Sequence, residues 1–269
     1  MRVKRLIHFM GDEWNLRPAG GATGEAYIAQ QGEHKIFIKR NSSPFLAVLS
    51  AEGIVPKLLW TRRLENGDVI TAQKWVSGRE LKSPEMSQNR VAKLLSKIHQ
   101  SEELLHMFMR MGNHPLSPHT LYDELRGKIG EMDIKDPYVM EGIQWLKKHI
   151  EGIDVGVKVV CHADVNHNNW IISEDNLYLI DWDGAIVADP ALDLAPLLYL
   201  YIPKNKWENW LYEYGLNLNV NLQKRLRWYM VAQCVEAILW HWQRQEFHDI
   251  SRWTDLLSQL FNETEFHLS

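Results

Sequence analysis

The residues best equipped for chemistry are concentrated in Cys161-His162-Ala163-Asp164-Val165-Asn166-His167-Asn168-Asn169-Trp170 and in Leu179-Ile180-Asp181-Trp182-Asp183. Short apolar runs flank both pieces, Val157–Cys161 before and Trp170–Ile172 and Leu177–Ile180 after. Such runs, bounded by polar loops, read as buried strands that hold the loop backbones rigidly. The spacing is H-x-D-x-x-x-x-N with an aspartate twelve residues further on. That set suits phosphoryl transfer, in which one carboxylate positions and deprotonates a hydroxyl while an amide and a second carboxylate hold Mg2+ on nucleotide phosphates. Asp164 is the expected general base, worth roughly 10²–10⁴-fold in rate. His162 stands with it in the catalytic loop, as a hydrogen-bonding support of that loop. Asn169 and Asp181 are the expected metal ligands, hard oxygen donors of the kind Mg2+ takes alongside waters and phosphate oxygens. Asp183 has two open roles, contact with a second metal or a hydrogen bond within the loop. His167 and Asp183 are also the expected contacts to the acceptor.

The nucleotide needs a cover and a cation. Lys39 ends an alternating stretch, Lys35–Arg40, with Lys35, Phe37 and Lys39 on one face and Ile36 and Ile38 on the other. A lysine there reaches α- and β-phosphate oxygens beneath a glycine-rich turn. Gly20-Gly21-Ala22-Thr23-Gly24 supplies the turn, with Gly21 and Gly24 as the phosphate-facing positions. Gln73-Lys74-Trp75-Val76 is the expected adenine hinge, through Gln73, Trp75 and Val76. Strands are predicted over Trp14–Pro18, Glu25–Gln30, Lys35–Arg40, Lys57–Arg62 and Asp68–Val76, the last two joined at Glu65-Asn66-Gly67-Asp68. A helix is predicted over Phe45–Ala51, opened by Pro44 and closed by Gly53.

Ser77-Gly78 breaks the pattern, which sets a lobe boundary there: residues 1–76 form the nucleotide-covering lobe and 77–269 the lobe with catalytic loop, metal site and acceptor pocket. Helices are then predicted over Ser87–Ser101, Leu121–Met132, Asp136–Ile150, Pro190–Tyr201, Lys206–Tyr214, Leu222–Phe247 and Ile250–Phe261. The fold class is α+β, a protein-kinase-like bilobal fold with a small antiparallel-sheet N-lobe and a mainly helical C-lobe. Asp189 and Asp193, around Pro190, fit capping and loop bracing. Trp228, Val235, Leu239 and Trp242 share one helix face and read as core, whereas Trp207, Trp210 and Tyr214 fall nearer the expected acceptor pocket.

Bulk properties exclude several classes. With 30 basic and 34 acidic residues the net charge is −4, so no global field draws the chain to nucleic acid or anionic lipid. The short clusters Lys39-Arg40, Arg62-Arg63 and Lys224-Arg225 read as solvated faces. Cys161 and Cys234 form no metal or disulfide pattern and read as inert core thiols in a reducing compartment. Met1–Met10 lacks the apolar core of a signal peptide, and no run of about 18 apolar residues offers a membrane span. The expected location is the cytoplasm.

The catalytic loop, Asp181 and the run Asp189-Pro190-Ala191-Leu192-Asp193-Leu194-Ala195 resemble the aminoglycoside phosphotransferase and choline kinase superfamily over nearly the whole chain. The resemblance implies the protein-kinase-like fold, ATP and Mg2+, with Asp164 as base and Asn169 and Asp181 as metal ligands. Ile36–Pro44, Pro56–Leu64, His167–Ile171 and Leu179–Asp183 further resemble the bacterial cell-cycle regulator kinases, the CcrZ/YtmP group. That likeness implies phosphate transfer to the 5-hydroxyl of a ribosyl or 2-deoxyribosyl group, as in nucleosides, with a link to DNA replication and division and cell-cycle protein partners. Two departures stand out. Kinases usually pair the strand lysine with a helix glutamate, but Phe45–Ala51 contains none and Glu52 comes at its end. Protein kinases carry lysine two residues after the base; here it is Asn166, and no Ala-Pro-Glu segment follows, which argues against a protein substrate. The alternatives are a choline, ethanolamine or aminoglycoside kinase, and a catalytically idle nucleotide-binding scaffold.

Overall fold

Alternation of side chains builds the first sheet. The computed structural model describes residues 13–19, 26–154 and 156–263, so Gly21 and Gly24 of the expected phosphate turn lie outside the described residues. Strands β1 (Asn15–Pro18), β2 (Ala26–Gln31), β3 (His34–Arg40), β4 (Leu58–Arg63) and β5 (Val69–Lys74) form one antiparallel sheet in the order β1-β2-β3-β5-β4. Ile38 joins Ala29, Ile70 and Ala72 in its core, with Ile36, Trp14 and Trp60 packed against them. The period of two therefore sends Phe37 and Lys39 to the opposite face, as expected. Helix α1 (Phe45–Ala51) follows and ends at Gly53, whose φ of +69° is a left-handed helix terminus that glycine adopts without a Cβ clash.

Residues 1–81 and 168–183 make one compact unit. Its second sheet, in the order β6-β8-β9, is built from β6 (Arg79–Glu80), β8 (Trp170–Ser173) and β9 (Asn176–Leu179). The Leu179 N–H donates to the Ile54 carbonyl at 3.0 Å, and Trp182 meets Phe45 edge-on at 6.1 Å, which ties the β8–β9 hairpin and the turn after it to the two ends of α1. At Gly78 a Cβ would lie 2.6 Å from the Ile172 carbonyl oxygen, so the pattern break read at this glycine is a close backbone approach.

Residues 82–167 and 184–269 make the other unit. It holds the short β7 (Val159–Cys161) and β10 (Ile186–Ala188) pair and helices α2 (Asn89–Gln100), α3 (Glu102–Arg110), α4 (Pro118–Glu131), α5 (Pro137–Lys148), α6 (Ala191–Tyr201), α7 (Trp207–Tyr214), α8 (Val220–Arg244) and α9 (Phe247–Asn262). Helix α3 is absent from the sequence-based expectation. Its start is nonetheless written in Ser101, whose Oγ accepts the Leu104 N–H at 3.2 Å, and in Glu102 and Glu103 of the first turn. Helix α4 begins earlier than expected because Ser117 caps it and Pro118 takes its first position. Helix α8 stops short of Phe247 because Gln245 turns left-handed, at φ +60°. Inside α6, Pro196 has no N–H for the Leu192 carbonyl; the Gln233 side-chain amide donates to that carbonyl instead, at 2.5 Å. Among the described residues no helix is long and apolar enough to cross a membrane.

Two buried carboxylates organise this unit. Asp189, fully buried, accepts the Ala191 N–H at 2.8 Å, capping α6, and pairs with Arg225 Nε at 2.9 Å and Nη2 at 2.5 Å. Arg225 is thus a core cation and not the solvated residue its sequence neighbourhood suggested. Asp193, also fully buried, accepts the His162 N–H through Oδ2 at 2.7 Å and the Ala163 N–H through Oδ1 at 2.8 Å. His99 Nε2 lies 3.1 Å from the same Oδ2, and His99 Nδ1 lies 2.6 Å from the Tyr214 hydroxyl. A buried charge persists only when each oxygen is matched in this way.

Two stability predictions follow from these contacts. Gly78→Ala forces the β6–β8 backbones apart and is expected to lower unfolding free energy by about 1–3 kcal/mol, read by chemical denaturation. Asp193→Ala strands two buried N–H groups and is expected to cost about 3–5 kcal/mol, with Asp193→Asn milder because one oxygen remains. Wild-type stability in either variant would contradict the corresponding contact.

Candidate functional site

The strand that carries Lys39 and the hairpin that carries Asp181 belong to the same unit. β3 holds the lysine between Ala26 on β2 and Thr71 on β5. Thr71 Oγ1 further donates to the Lys39 carbonyl at 3.1 Å. Lys39 Nζ donates to Asp181 Oδ1 at 2.9 Å and to Asp183 Oδ2 at 2.8 Å, bridging more than 140 positions of sequence. Burial works to lower the lysine's pKa, but hydrogen bonds to Asp183 and Asp181, together with their charges, outweigh it and leave the pKa above the usual lysine value. The ammonium is therefore charged throughout the physiological range. The basic pair Lys39-Arg40 is engaged rather than simply solvated, since Arg40 pairs with Asp68. The carboxylate missing from α1 is replaced as the lysine's partner by Asp181 and Asp183.

Register brings the expected amide ligand to the same hairpin end. Trp170 pairs with Leu179, and the Ile180 N–H donates to the Asn169 carbonyl at 2.8 Å, so Asn169 and Asp181 flank the end of the β8–β9 ladder. Asp181 has a φ of +64°, a left-handed conformation that turns the chain out of β9 and leaves its side chain 55% exposed. Two carboxylates converging on one cation offer hard oxygens of the kind a Mg2+ ion takes. Asn169 and Asp181 would hold that ion, and its chemistry there would be charge neutralisation on phosphate oxygens.

The other half of the motif lies in the second unit. The buried His162 ring accepts the Asp164 N–H through Nδ1 at 3.3 Å, a supporting position beneath the loop. Ala163 takes φ +65°, pinned by Asp193, and the chain then presents Asp164 to solvent. Asn166 Nδ2 donates to Asp164 Oδ1 at 2.6 Å. The His167 N–H and Nδ1 both lie within 3.4 Å of the Tyr201 hydroxyl. Burial is the main cause that raises the Tyr201 pKa, and the negative charge of Asp164 adds to it, so the phenol stays protonated. Asn166 and Tyr201 escaped the sequence reading. Asn166 was visible only as a departure from protein kinases, and Tyr201 only as the polar end of an apolar helix.

Other expected positions sort differently. Gln73 lies inside β5, paired with Phe37 and Leu58, and its amide donates to the Pro56 carbonyl at 2.8 Å. Trp75 and Val76 lie just past the end of β5 at Lys74. Trp228 is core, as expected, its Nε1 donating to the Leu146 carbonyl at 3.1 Å. Trp207, Trp210 and Tyr214 are buried too, which corrects their assignment toward an acceptor pocket; Trp207 Nε1 donates to the Leu198 and Ile202 carbonyls. A cavity of about 300 Å³ opens beside Trp145, Tyr199 and Trp207, and no residue of the loop 162–167 lines it.

Solved structures share this architecture. The choline kinase LicA from Streptococcus pneumoniae is 20% identical, covering 96% of this chain and 98% of that one, with a TM-score of 0.71. A putative aminoglycoside phosphotransferase from Ralstonia eutropha JMP134 is 11% identical, covering 97% of both chains, at 0.73. The spectinomycin phosphotransferase APH(9)-Ia, solved with ADP and spectinomycin, is 17% identical, covering 89% of this chain and 87% of that one, at 0.62. The small antiparallel sheet and the helical remainder are the protein-kinase-like fold that was expected. Residues 18–229 match the profile of the phosphotransferase enzyme family (APH), and the chain belongs to that family.

Proposed function

We propose that this phosphotransferase is an ATP-dependent small-molecule kinase that moves the γ-phosphate to the 5-hydroxyl of a ribosyl or 2-deoxyribosyl group, as in nucleosides. The observation that carries the nucleotide half is the convergence of Lys39 with Asp181 and Asp183 at 2.8–2.9 Å. In this reading Lys39 binds α- and β-phosphate oxygens, Asn169 and Asp181 hold Mg2+, and Trp75 and Val76 meet the adenine. Residues 1–76, with Gly21 and Gly24, cover the nucleotide, and residues 77–269 supply the base and the acceptor pocket. Asp164 takes the acceptor's hydroxyl proton as the new O–P bond forms and the bond from the γ-phosphorus to the bridging oxygen breaks, leaving ADP. Asn166 and the His162 ring keep Asp164 aligned, and His167 and Tyr201 contact the acceptor.

The sugar-hydroxyl assignment rests on the likeness of Ile36–Pro44, Pro56–Leu64, His167–Ile171 and Leu179–Asp183 to cell-cycle regulator kinases. The same likeness supports a cytoplasmic role in division and DNA replication. The alternative, a choline, ethanolamine or aminoglycoside kinase, draws on the solved neighbours. A cationic acceptor calls for acidic groups that converge, yet Glu213 is paired with Lys93 at 3.2 Å and Glu236 with Lys128 at 2.6 Å. Trp210 of α7 and Trp228 of α8 are buried in packing.

Two experiments test the proposal. With labelled ATP and a panel of nucleosides, choline, ethanolamine and aminoglycosides, label is expected on the 5-position of a ribosyl or deoxyribosyl acceptor. Turnover of choline without any nucleoside turnover would instead establish the alternative. Asp164→Asn is expected to lower kcat by about 10²–10⁴-fold while ATP affinity, measured by calorimetry, stays within about twofold. Unchanged turnover would remove Asp164 from the role of base, whereas no transfer by wild type to any acceptor of the panel would leave the nucleotide-binding scaffold as the better account.

A further inference from the structure

We propose that the Lys39 ammonium holds the divalent-cation position of the nucleotide-free chain, keeping free metal off Asp181 until a polyphosphate draws the lysine away. This deepens the reading above and rests on its assignment of Asp181 as a metal ligand. Nζ lies 2.9 Å from Asp181 Oδ1 and 2.8 Å from Asp183 Oδ2, bridging the two carboxylates as a cation would. The carboxylates are 55% and 58% exposed, so burial does not close them to ions from solvent. The lysine side chain is only 21% exposed, and its backbone is fixed by strands on both sides. It therefore sits over Asp181 by construction rather than as one pose of a swinging surface residue.

Charge decides the order of loading. A divalent ion arriving alone at Asp181 meets an ammonium already bound to the same oxygen, and the two cations repel at contact distance. A triphosphate changes the balance by supplying several negative oxygens. Lys39 can then leave Asp181 for phosphate, and the metal enters already carrying phosphate ligands. Helix α1 contains no carboxylate to draw Lys39 elsewhere, so in the absence of nucleotide the lysine remains with Asp181 and Asp183.

The test is binding of free Mn2+ to the full chain without nucleotide, read by the electron paramagnetic resonance signal of unbound Mn2+. Lys39→Met and Lys39→Gln are expected to bind one Mn2+ at least tenfold more tightly than wild type, while Lys39→Arg, which keeps the charge, binds as weakly as wild type. Adding Asp181→Asn to Lys39→Met is expected to abolish the gained site. Thermal melts of both neutral variants establish that the chains compared are folded. Wild type binding Mn2+ as tightly as the neutral variants, with loss on Asp181→Asn, would overturn the lysine's role and leave Asp181 a ligand. No Mn2+ binding by wild type or by either neutral variant, or a gain that survives Asp181→Asn, would overturn the metal assignment on which the proposal stands.

Discussion

A carboxylate sealed from water must have its oxygens matched by hydrogen-bond donors, and Asp193 is matched by the backbone of the loop that carries Asp164. Its two oxygens accept the His162 and Ala163 N–H groups, and His99, backed by Tyr214, closes one side. Burial makes this arrangement rigid, because breaking either bond exposes a charge to an environment that solvates it poorly. The consequence lies one residue further on. Ala163 is held in the left-handed region, which costs a non-glycine residue about 1–2 kcal/mol. That turn carries the chain from the buried end of β7 to an exposed Asp164 within three residues. Asp189 does the neighbouring work by capping α6, the helix on which Asp193 rides, and by fixing Arg225 of α8. The loop is thus tied to the helices of its unit through two aspartates that never touch solvent.

Sequence reading succeeded where the governing interactions are local. The alternation of Lys35–Arg40 and the Pro44-to-Gly53 punctuation of α1 each use neighbours within a few residues. The bracing role of Asp189 and Asp193 was also legible, since caps are local. The partners were not. Arg225 lies 36 residues from Asp189, and nothing around Lys224-Arg225 distinguishes it from a surface pair. Asp183 kept two open roles because its Lys39 contact spans 144 positions. Helix α3 was missed for a different reason. Its nine residues bury only Leu104 and Phe108, a single i, i+4 pair, which is too little periodicity to register beside the longer helices. Trp207 and Trp210 misled because helical spacing shows that residues share a face but not whether that face is covered.

The division of the chain explains why the reaction class was easier to read than the acceptor. The groups read as handling phosphate are charged and few, and phosphoryl transfer needs the same few in any enzyme of this kind. In the helical unit Glu213 and Glu236 are paired with lysines, and Trp207, Trp210 and Trp228 are buried in packing. Solved relatives with this fold are named for choline and for spectinomycin at 20% identity or less, so the fold leaves the acceptor open.

Both working turns use the same backbone device. Ala163 and Asp181 each take a left-handed conformation two residues after a strand whose last residue is buried, Cys161 and Leu179, and neither is glycine. Glycine would adopt the turn without cost, but it would also leave the backbone free to take others. A residue with a Cβ accepts the strain only while its surroundings hold it. For Ala163 the holder is the Asp193 carboxylate; at the β8–β9 end it is the Ile180 to Asn169 bond, with Trp182 Nε1 donating to the Leu179 carbonyl at 2.7 Å. In both places a strand ends in a buried residue, a strained residue turns, and a carboxylate emerges into solvent with its backbone already fixed. The entropy of ordering those carboxylates is met when the chain folds, so it need not be met again when ligands arrive.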